Sequence, residues 1–265
     1  MAKPRIVTLL TDFSLADPYA AAMKGAILSV CPEATIVDIS HQVPPQDVLS
    51  GAVVLSQSVP HFPPGTLHVV VVDPGVGTER RILAMKMGGH IVLAPDNGVV
   101  TLLAERLVLE AVVVVQNPRF LPATASMTFH GRDIFATIAG QILNGLDISV
   151  LGPQPGSYKL LDIPTPVVID KAIIGQVMYV DGFGNLVSNI SERLVRESSP
   201  DFDVLKVTCA DRDIGPLVGT YGFAPPGQPI ALFDSMGYVE VAVNQGRACD
   251  ELAVGVGAEV KMHPG

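Results

Sequence analysis

The sequence predicts two domains of different class: an α/β domain with a mostly parallel sheet at residues 1–160, and a smaller, antiparallel, barrel-like β domain at residues 170–265. Three observations predict this division. Strand and helix patterns alternate through the first part of the chain, which is typical of a parallel sheet with helices on both faces. Proline and glycine cluster between Gly152 and Pro166, as at a domain boundary. Beyond that cluster the pattern is almost entirely strand.

Short apolar segments predict the strands of the first domain. They lie at Ile6–Leu10, Thr35–Ile39, Leu67–Val72, Ile91–Leu93 and Ala111–Val115. Leu67–Val72 is nearly continuous in β-branched residues, which predicts a central strand buried on both faces.

Helices are predicted between these strands, at Ala20–Val30, Asp47–Val59, Val99–Glu105 and Asp133–Leu143. Asp17-Pro18 is typical of a helix start, because Asp can accept hydrogen bonds from the free amides of the first turn and Pro is tolerated there. We therefore interpret Asp17 as a helix cap in preference to a ligand, and the two roles are compatible.

The second domain is predicted to consist mostly of strands joined by turns. The strands lie at Ala172–Val180, Leu186–Ile190, Val204–Val207, Ile230–Phe233, Tyr238–Val243 and Glu259–Met262. Asp181-Gly182 and Pro225-Pro226-Gly227 are strong turn signals between them. Short strands separated by such turns indicate an antiparallel domain.

Composition excludes several classes of partner. The formal net charge of −9 argues against nucleic acid, because phosphate binding needs a basic patch. No apolar run reaches the ~18 residues that a membrane span requires. Cys31, Cys209 and Cys249 are isolated, and the histidines lack metal-ligand spacing. We therefore expect a cytoplasmic protein with no disulfide, no metal and no membrane partner.

Three residues are the first candidates for function. Ligands of parallel sheets bind beyond the carboxyl ends of the strands. Asp12 follows the first predicted strand and Asp73 follows the central one, where a carboxylate has little structural use. His130 lies in a polar, glycine-flanked loop.

Other polar residues are better interpreted as structural. A histidine within an apolar strand is usually a hydrogen-bonded core residue, an Asp-Asn-Gly sequence is typical of a turn and helix start, and Asp is electrostatically favoured at a helix start. These interpretations apply to His68, Asp96-Asn97-Gly98, Arg132 and Asp133.

Common nucleotide and acyl-transfer motifs are missing from the sequence. There is no Walker loop, and Gly75-Val76-Gly77 lacks the third glycine of a dinucleotide-binding fingerprint. There is no Gly-x-Ser-x-Gly elbow either. NTPases, dehydrogenases and serine hydrolases are therefore disfavoured.

Several short motifs, taken together in this order and spacing, are far more specific than any one of them. They are Leu10-Thr11-Asp12-Phe13, Met23-Lys24-Gly25, Asp38-Ile39-Ser40-His41, the Asp73–Arg80 loop, Ala94-Pro95-Asp96-Asn97-Gly98, Thr128–Asp133 and Asp181-Gly182-Phe183-Gly184-Asn185. Over nearly its whole length the chain resembles the S-adenosylmethionine hydroxide adenosyltransferases, relatives of the bacterial enzymes that make fluorinated and chlorinated adenosines. The resemblance implies the two domains described above, homotrimers with active sites at subunit interfaces, and no cofactor besides the substrate S-adenosylmethionine.

The resemblance also implies roles for substrate-binding residues. Asp12 would accept from the ribose 2′ and 3′ hydroxyls. Phe183 would stack on the adenine, and Asn185 would bond its amino edge. The remaining implied contacts are Ser235 and Glu240 facing the substrate, the Val243 backbone beside the adenine, and Asp181 near the methionine amino group.

The catalytic triad implied by the resemblance is Asp73, Arg80 and His130. The halogenating relatives have a tyrosine in place of the aspartate and lack the histidine, so the resemblance implies hydrolysis to adenosine and methionine. Asp73 and His130 would bind the attacking water and accept its proton, while Arg80 orients Asp73. Arg81 is adjacent, so the choice of Arg80 rests on its spacing from Asp73. Halide transfer, or a sensor that binds S-adenosylmethionine or adenosine without catalysis, are the alternatives.

Overall fold

The computed structural model describes residues 5–199 and 202–264, and the chain divides into two compact units, Met1–Leu161 and Asp162–Gly265. Each unit has its own hydrophobic core. Within the described ranges, no helix is both long and apolar enough to cross a membrane.

A six-stranded sheet forms the centre of the first unit. Its strands are β1 (Ile6–Thr11), β2 (Thr35–Ser40), β3 (Leu67–Val71), β4 (Ile82–Met87), β5 (His90–Pro95) and β6 (Leu109–Val114), in the spatial order β2-β1-β3-β5-β4-β6. The pairs β1/β2, β1/β3 and β3/β5 are parallel, whereas β4 runs antiparallel to both of its neighbours. The predicted mostly parallel sheet is thus confirmed.

Strand β4 was not among the predicted elements. It pairs with β5 through a two-residue turn, Gly88-Gly89, in which both residues have positive φ angles of 54° and 82°. Two consecutive residues with positive φ are typical of the tight turns that join antiparallel strands, and glycine adopts this conformation without strain. The Gly-Gly pair between apolar segments was the sequence signal for this hairpin.

Helices cover both faces of the sheet, as predicted. They are α1 (Tyr19–Val30), α2 (Val48–Ser58), α3 (Thr101–Ala104) and α4 (Thr137–Leu143). Val69 and Val71 of β3 face the cluster that includes α1 and α4, whereas Val70 and Val72 face the cluster that includes α2 and α3. The alternation confirms β3 as a central strand buried on both sides.

The starts of two helices differ from the prediction. Pro18 occupies the N-cap position of α1 without a side-chain cap hydrogen bond, so the interpretation of Asp17 as the cap was wrong. The predicted helix Asp133–Leu143 begins earlier, with a π-helical turn over Gly131–Ala136 that continues into α4. By contrast, Asp47 caps α2 by accepting a hydrogen bond from the Ser50 amide at 2.9 Å.

His68 is a hydrogen-bonded core residue, as predicted. Its Nδ1 lies 2.8 Å from the Thr8 hydroxyl and its Nε2 lies 3.2 Å from Nδ1 of His90. Burial, and then the neighbouring His90, lower the pKa of His68 to about 3. His68 is therefore neutral throughout the physiological range.

The second unit is an antiparallel, nearly closed sheet, which confirms the barrel-like prediction. Its strands are β7 (Val167–Ile169), β8 (Ala172–Val180), β9 (Leu186–Ser191), β10 (Leu205–Cys209), β11 (Arg212–Pro216), β12 (Pro229–Phe233), β13 (Tyr238–Val243) and β14 (Glu259–Pro264), in the order β11-β10-β14-β8-β9-β13-β12, with β7 paired to β8. A bridge between Leu217 and Ala231 links the two ends of this order.

Among the strands and α-helices of the second unit's described residues, the sequence did not predict β7, β11, α5 (Glu192–Ser198) and α6 (Ala248–Glu251). The signals of α5 are nevertheless present in the sequence. Ser191 caps it by accepting from the Leu194 amide, and Glu192 pairs with Arg196 one turn later.

Two helical glycines give opposite predictions for the same substitution. A Cβ at Gly140 of α4 would lie 2.6 Å from Cβ of Val30, whereas a Cβ at Gly25 of α1 would have no neighbour within 4 Å. Gly140→Ala is expected to lower the free energy of unfolding by about 1–3 kcal/mol through this overlap. Gly25→Ala, the matched control, is expected to raise it by about 0.5–1 kcal/mol because alanine restricts the unfolded chain. Urea denaturation measures both, and an equal effect of the two changes would contradict the close α1–α4 contact.

Candidate active site

Asp12 and Asp73 project from the carboxyl edge of the first sheet. The register pairs Thr11 of β1 with Val71 of β3, so the two aspartates follow neighbouring parallel strands. This is the edge at which parallel sheets bind ligands.

The structure brings Asp73, Arg80 and His130 together. Nε of Arg80 donates to both carboxylate oxygens of Asp73, at 2.8 and 3.1 Å, and one terminal nitrogen lies 2.5 Å from Oδ2. The same terminal nitrogen lies 2.9 Å from Nδ1 of His130. The side chains of Asp73 and Arg80 are only 3% and 8% exposed, so the pair is shielded from screening by water.

A glycine allows the two loops of this triad to approach. Gly77 has a φ of +76°, and a Cβ there would lie 2.2 Å from the carbonyl oxygen of Met127. Any side chain at position 77 would push the Asp73–Arg80 loop away from the loop that carries His130.

The hydrogen bond from Arg80 determines the tautomer of His130. A guanidinium can only donate, so Nδ1 of His130 must accept, and the proton of the neutral ring lies on Nε2. Burial, followed by the charge of Arg80, lowers the pKa of His130, against the opposing effects of Asp73 and Asp133. His130 is therefore a neutral imidazole at neutral pH that presents an N–H group from Nε2.

Arg81 does not take part in this triad. It pairs with the buried carboxylate of Asp96 and donates to the Ser157 carbonyl at 2.8 Å. Asp96 also accepts from the Lys159 amide at 2.7 Å, and the Asn97 side chain bonds to the Val72 carbonyl. These contacts support the structural interpretation of Asp96-Asn97-Gly98.

Arg132 and Asp133 also make structural contacts. Asp133 accepts from the Ser126 amide at 2.7 Å, which closes the loop that carries His130, and it pairs with Arg132 at 2.6 Å. The Arg132 guanidinium lies 5.0 Å from the centre of the Phe129 ring.

Asp12 is held in place by a neighbouring loop. Its Oδ2 accepts from the Gln46 amide at 2.8 Å, and Gln46 has a φ of +66°. The preceding Thr11 bonds through its hydroxyl to Nδ1 of the buried His41 at 2.8 Å, and the His41 carbonyl accepts from the Ser14 amide. These contacts fix the end of β1 and the direction of the Asp12 carboxylate.

In the second unit, one turn between β8 and β9 carries Asp181, Phe183 and Asn185. Asp181 accepts from the amides of Phe183 and Asn185, both at 2.9 Å, and from the Asn185 side chain at 3.0 Å. The turn leaves the Phe183 ring 78% exposed while Asn185 is buried. An exposed aromatic ring beside a buried amide suits the stacking and edge recognition of a planar base.

Ser235, Glu240 and Val243 lie on the β12–β13 hairpin. Ser235 is in its exposed turn, whereas Glu240 and Val243 are buried in β13. Glu240 lies opposite Val187 of β9, so the hairpin is hydrogen-bonded to the strand that follows the Asp181 turn.

Sequence reasoning missed Tyr221, whose hydroxyl donates to Oε1 of Glu240 at 2.9 Å. Tyr221 belongs to a short 3-10 turn, Tyr221–Phe223, and Gly219 and Gly222 lie close to it in the sequence. This segment has no helix or strand periodicity that would point to a functional residue. Burial first, and then Asp181 and Asp234, raise the pKa of Glu240 to about 7 although the Tyr221 hydrogen bond acts in the opposite direction.

The fold and site together define an α/β protein with an Asp–Arg–His cluster at the ligand edge of its sheet, followed by a β-barrel-like unit. Residues 7–152 match the model of the SAM hydroxide adenosyltransferase N-terminal domain, and residues 175–261 match that of the C-terminal domain. The chain therefore belongs to the SAM hydroxide adenosyltransferase family.

Individual relatives agree with this membership. The (R)-S-adenosyl-L-methionine hydrolase of Salinispora arenicola is 40% identical over all of both chains. The fluorinase of an Actinoplanes species is 26% identical over 90% of this chain and 91% of its own. A solved structure of an uncharacterized conserved protein from Thermotoga maritima superposes with a TM-score of 0.90 and 36% identity, covering 97% of this chain and 99% of that one.

The contacts of His130 predict an NMR signature. In the wild type, the imidazole carries its proton on Nε2 at pH 7 and has a lowered pKa. Arg80→Met removes the neighbouring charge, which is one of the causes that lower the His130 pKa, and is therefore expected to raise that pKa toward its ordinary value. Two-dimensional NMR of the imidazole nitrogens measures both quantities, with the exposed Arg119→Met as control. An unchanged His130 titration in Arg80→Met would contradict the contact.

Proposed function

We propose that this protein hydrolyses S-adenosylmethionine to adenosine and methionine by attack of water on the 5′ carbon of the ribose. The observation that carries the proposal is the hydrogen-bonded Asp73–Arg80–His130 cluster at the carboxyl edge of the sheet. The name of the Salinispora arenicola relative, an (R)-S-adenosyl-L-methionine hydrolase, supports the same reaction.

The substrate brings its own leaving group. As the oxygen of water bonds to C5′, the C5′–S bond breaks and its electron pair returns to sulfur, so that a sulfonium cation becomes a neutral thioether. The protein's task is to hold water in line behind C5′, and positioning of this kind can contribute up to ~7–11 kcal/mol. We propose that no further cofactor takes part.

Asp73 is the proton acceptor in this scheme. Both His130 and Asp73 were candidates on sequence grounds, but Nδ1 of His130 already accepts from Arg80. The Nε2–H group of His130 can donate to the water and orient it, while a carboxylate oxygen of Asp73 accepts the water proton as the C–O bond forms. Arg80 orients both groups and stabilises the charge that develops at the nucleophile.

The binding residues follow the resemblance. Asp12 holds the ribose hydroxyls, Phe183 stacks on the adenine and Asn185 bonds its amino edge. The other contacts that we propose are those of Ser235 and Glu240 with the substrate, of the Val243 backbone with the adenine, and of Asp181 with the methionine ammonium. The three hydrogen bonds that Asp181 accepts within its turn give it a second role in shaping that turn.

The proposed reaction is tested by incubating purified protein with S-adenosylmethionine, with and without chloride, and separating the products by chromatography. We expect adenosine and methionine without 5′-chloroadenosine, because the Asp73 carboxylate repels an anion. Asp73→Asn is expected to slow hydrolysis by ~10²–10⁴-fold through loss of the proton acceptor.

The matched control for this test is Asp147→Asn, which changes a carboxylate that is 56% exposed and paired with Lys86. It should leave the rate unchanged. Hydrolysis by Asp73→Asn within twofold of the wild type would sink the scheme. Formation of 5′-chloroadenosine would indicate halide transfer, and tight binding without turnover would indicate a sensor.

We also propose a homotrimer with its active sites at the subunit interfaces. Exposed apolar side chains on and beside the site loops support burial of this surface in an assembly. They are Leu15, Tyr19, Val76 and Met127, with exposed fractions of 65%, 46%, 36% and 64%.

Mixed oligomers test this arrangement. Asp73→Asn impairs the proton acceptor and Asn185→Ala impairs adenine binding, so either homotrimer should hydrolyse S-adenosylmethionine far more slowly than the wild type. Random mixing by co-expression should restore about a quarter of the sites if each site uses two protomers. Ultracentrifugation gives the oligomeric state. Complete inactivity of mixed oligomers would place each site within one chain.

A further inference from the structure

In the second unit, the partly exposed Tyr221 is hydrogen-bonded to the buried carboxylate of Glu240. Glu240 is 3% exposed, whereas Tyr221 is 43% exposed and donates its hydroxyl proton to Oε1 at 2.9 Å. Burial, and then Glu240, raise the pKa of Tyr221 well above its ordinary value, so the tyrosine remains a donor at every working pH. A neutral donor on a partly exposed side chain thus holds the buried carboxylate of Glu240.

The neighbours of Glu240 are carboxylates. Asp181 on the β8–β9 turn and Asp234 on the β12–β13 turn both act on it electrostatically. Each is tied to its own turn: Asp181 accepts from the Asn185 amide, and Asp234 accepts from the amides of Met236 and Tyr238, both at 2.8 Å. Their negative charges have fixed positions and oppose ionisation of Glu240.

Glu240 consequently changes its charge near neutrality. Burial comes first among the causes that raise its pKa to about 7, and the two aspartates add to it. The hydrogen bond from Tyr221 is the contact that favours the ionised form. Glu240 is therefore mostly protonated below about pH 7 and mostly ionised above it.

We infer that Tyr221 is a positioning residue, which holds the Glu240 carboxylate toward the ligand in its ionised form and thereby makes binding of the cationic substrate stronger than binding of neutral adenosine. The inference rests on the proposed function, which places Glu240 at the substrate. S-adenosylmethionine carries a sulfonium and an ammonium group, whereas adenosine carries no charge. An ionised Glu240 attracts the former and is indifferent to the latter.

The sign of the pH dependence follows from linkage. A cation stabilises the ionised carboxylate, so binding of S-adenosylmethionine releases the proton of Glu240 and strengthens as pH rises. Below the transition, KM should fall with rising pH by at most about tenfold per unit, and above it KM should level off. Removal of the Tyr221 hydroxyl leaves Glu240 protonated to higher pH, so the midpoint should move in the alkaline direction.

The test is to measure KM and kcat for S-adenosylmethionine, and Kd for adenosine by calorimetry, from pH 5.5 to 8.5. We expect the wild type to show a KM transition near pH 7, and Tyr221→Phe to shift its midpoint upward by about one unit with little change in kcat at high pH. Glu240→Gln should abolish the transition. The matched control Tyr158→Phe, at a partly buried residue that packs against a core cluster of the first unit, should behave as wild type.

Two results would overturn the inference: a wild-type KM that does not vary with pH, or a Tyr221→Phe midpoint equal to that of the wild type. A 13C NMR titration of the Glu240 carboxyl measures its pKa in the wild type and in Tyr221→Phe directly, without any need for turnover. If the wild type forms no adenosine at any pH, the proposed function fails. Calorimetric Kd values for S-adenosylmethionine over the same range then replace KM, so the two failures are distinguishable.

Discussion

The guanidinium of Arg80 is the interaction on which the first unit's site depends. It bonds at the same time to the carboxylate of Asp73, which follows β3, and to the imidazole of His130, which lies 50 residues beyond Arg80 in the chain. Because it can only donate, it sets the tautomer of His130 as well as its position. Asp73 and His130 therefore become different kinds of group, one an acceptor and the other a donor.

The scaffold supplies the precision that this contact requires. Parallel pairing of β1 with β3 delivers Asp12 and Asp73 to one edge, and Gly77 lets the Asp73 loop approach the Met127 carbonyl. A displacement of an ångström would break the hydrogen bond between Arg80 and His130. The tight packing of this loop is therefore required to keep Arg80 within hydrogen-bond distance of His130.

The second unit also has a buried carboxylate, but its charged neighbours have the opposite sign to the neighbour of Asp73. Asp73 is buried against a cation, whereas Glu240 is buried against a tyrosine with two aspartates nearby. Burial of a carboxylate is unfavourable unless a partner compensates for it. The Arg80 guanidinium donates to both oxygens of Asp73 and carries the opposite charge, whereas the Tyr221 phenol gives Glu240 one neutral donor and leaves it close to its transition at neutral pH.

The sequence by itself determined the class of each unit and most of the strands, because hydrophobic periodicity is a local property, and its resemblance to a known family implied the Asp73–Arg80–His130 cluster. Only the tertiary structure decided that Arg80 bonds to Asp73 and His130 at the same time while Arg81 pairs with Asp96, that Asp17 caps no helix, and that Tyr221 holds Glu240. Each of these depends on distances between segments that are remote in the chain or on the direction of a side chain. Such distances follow from packing, which a linear pattern does not encode.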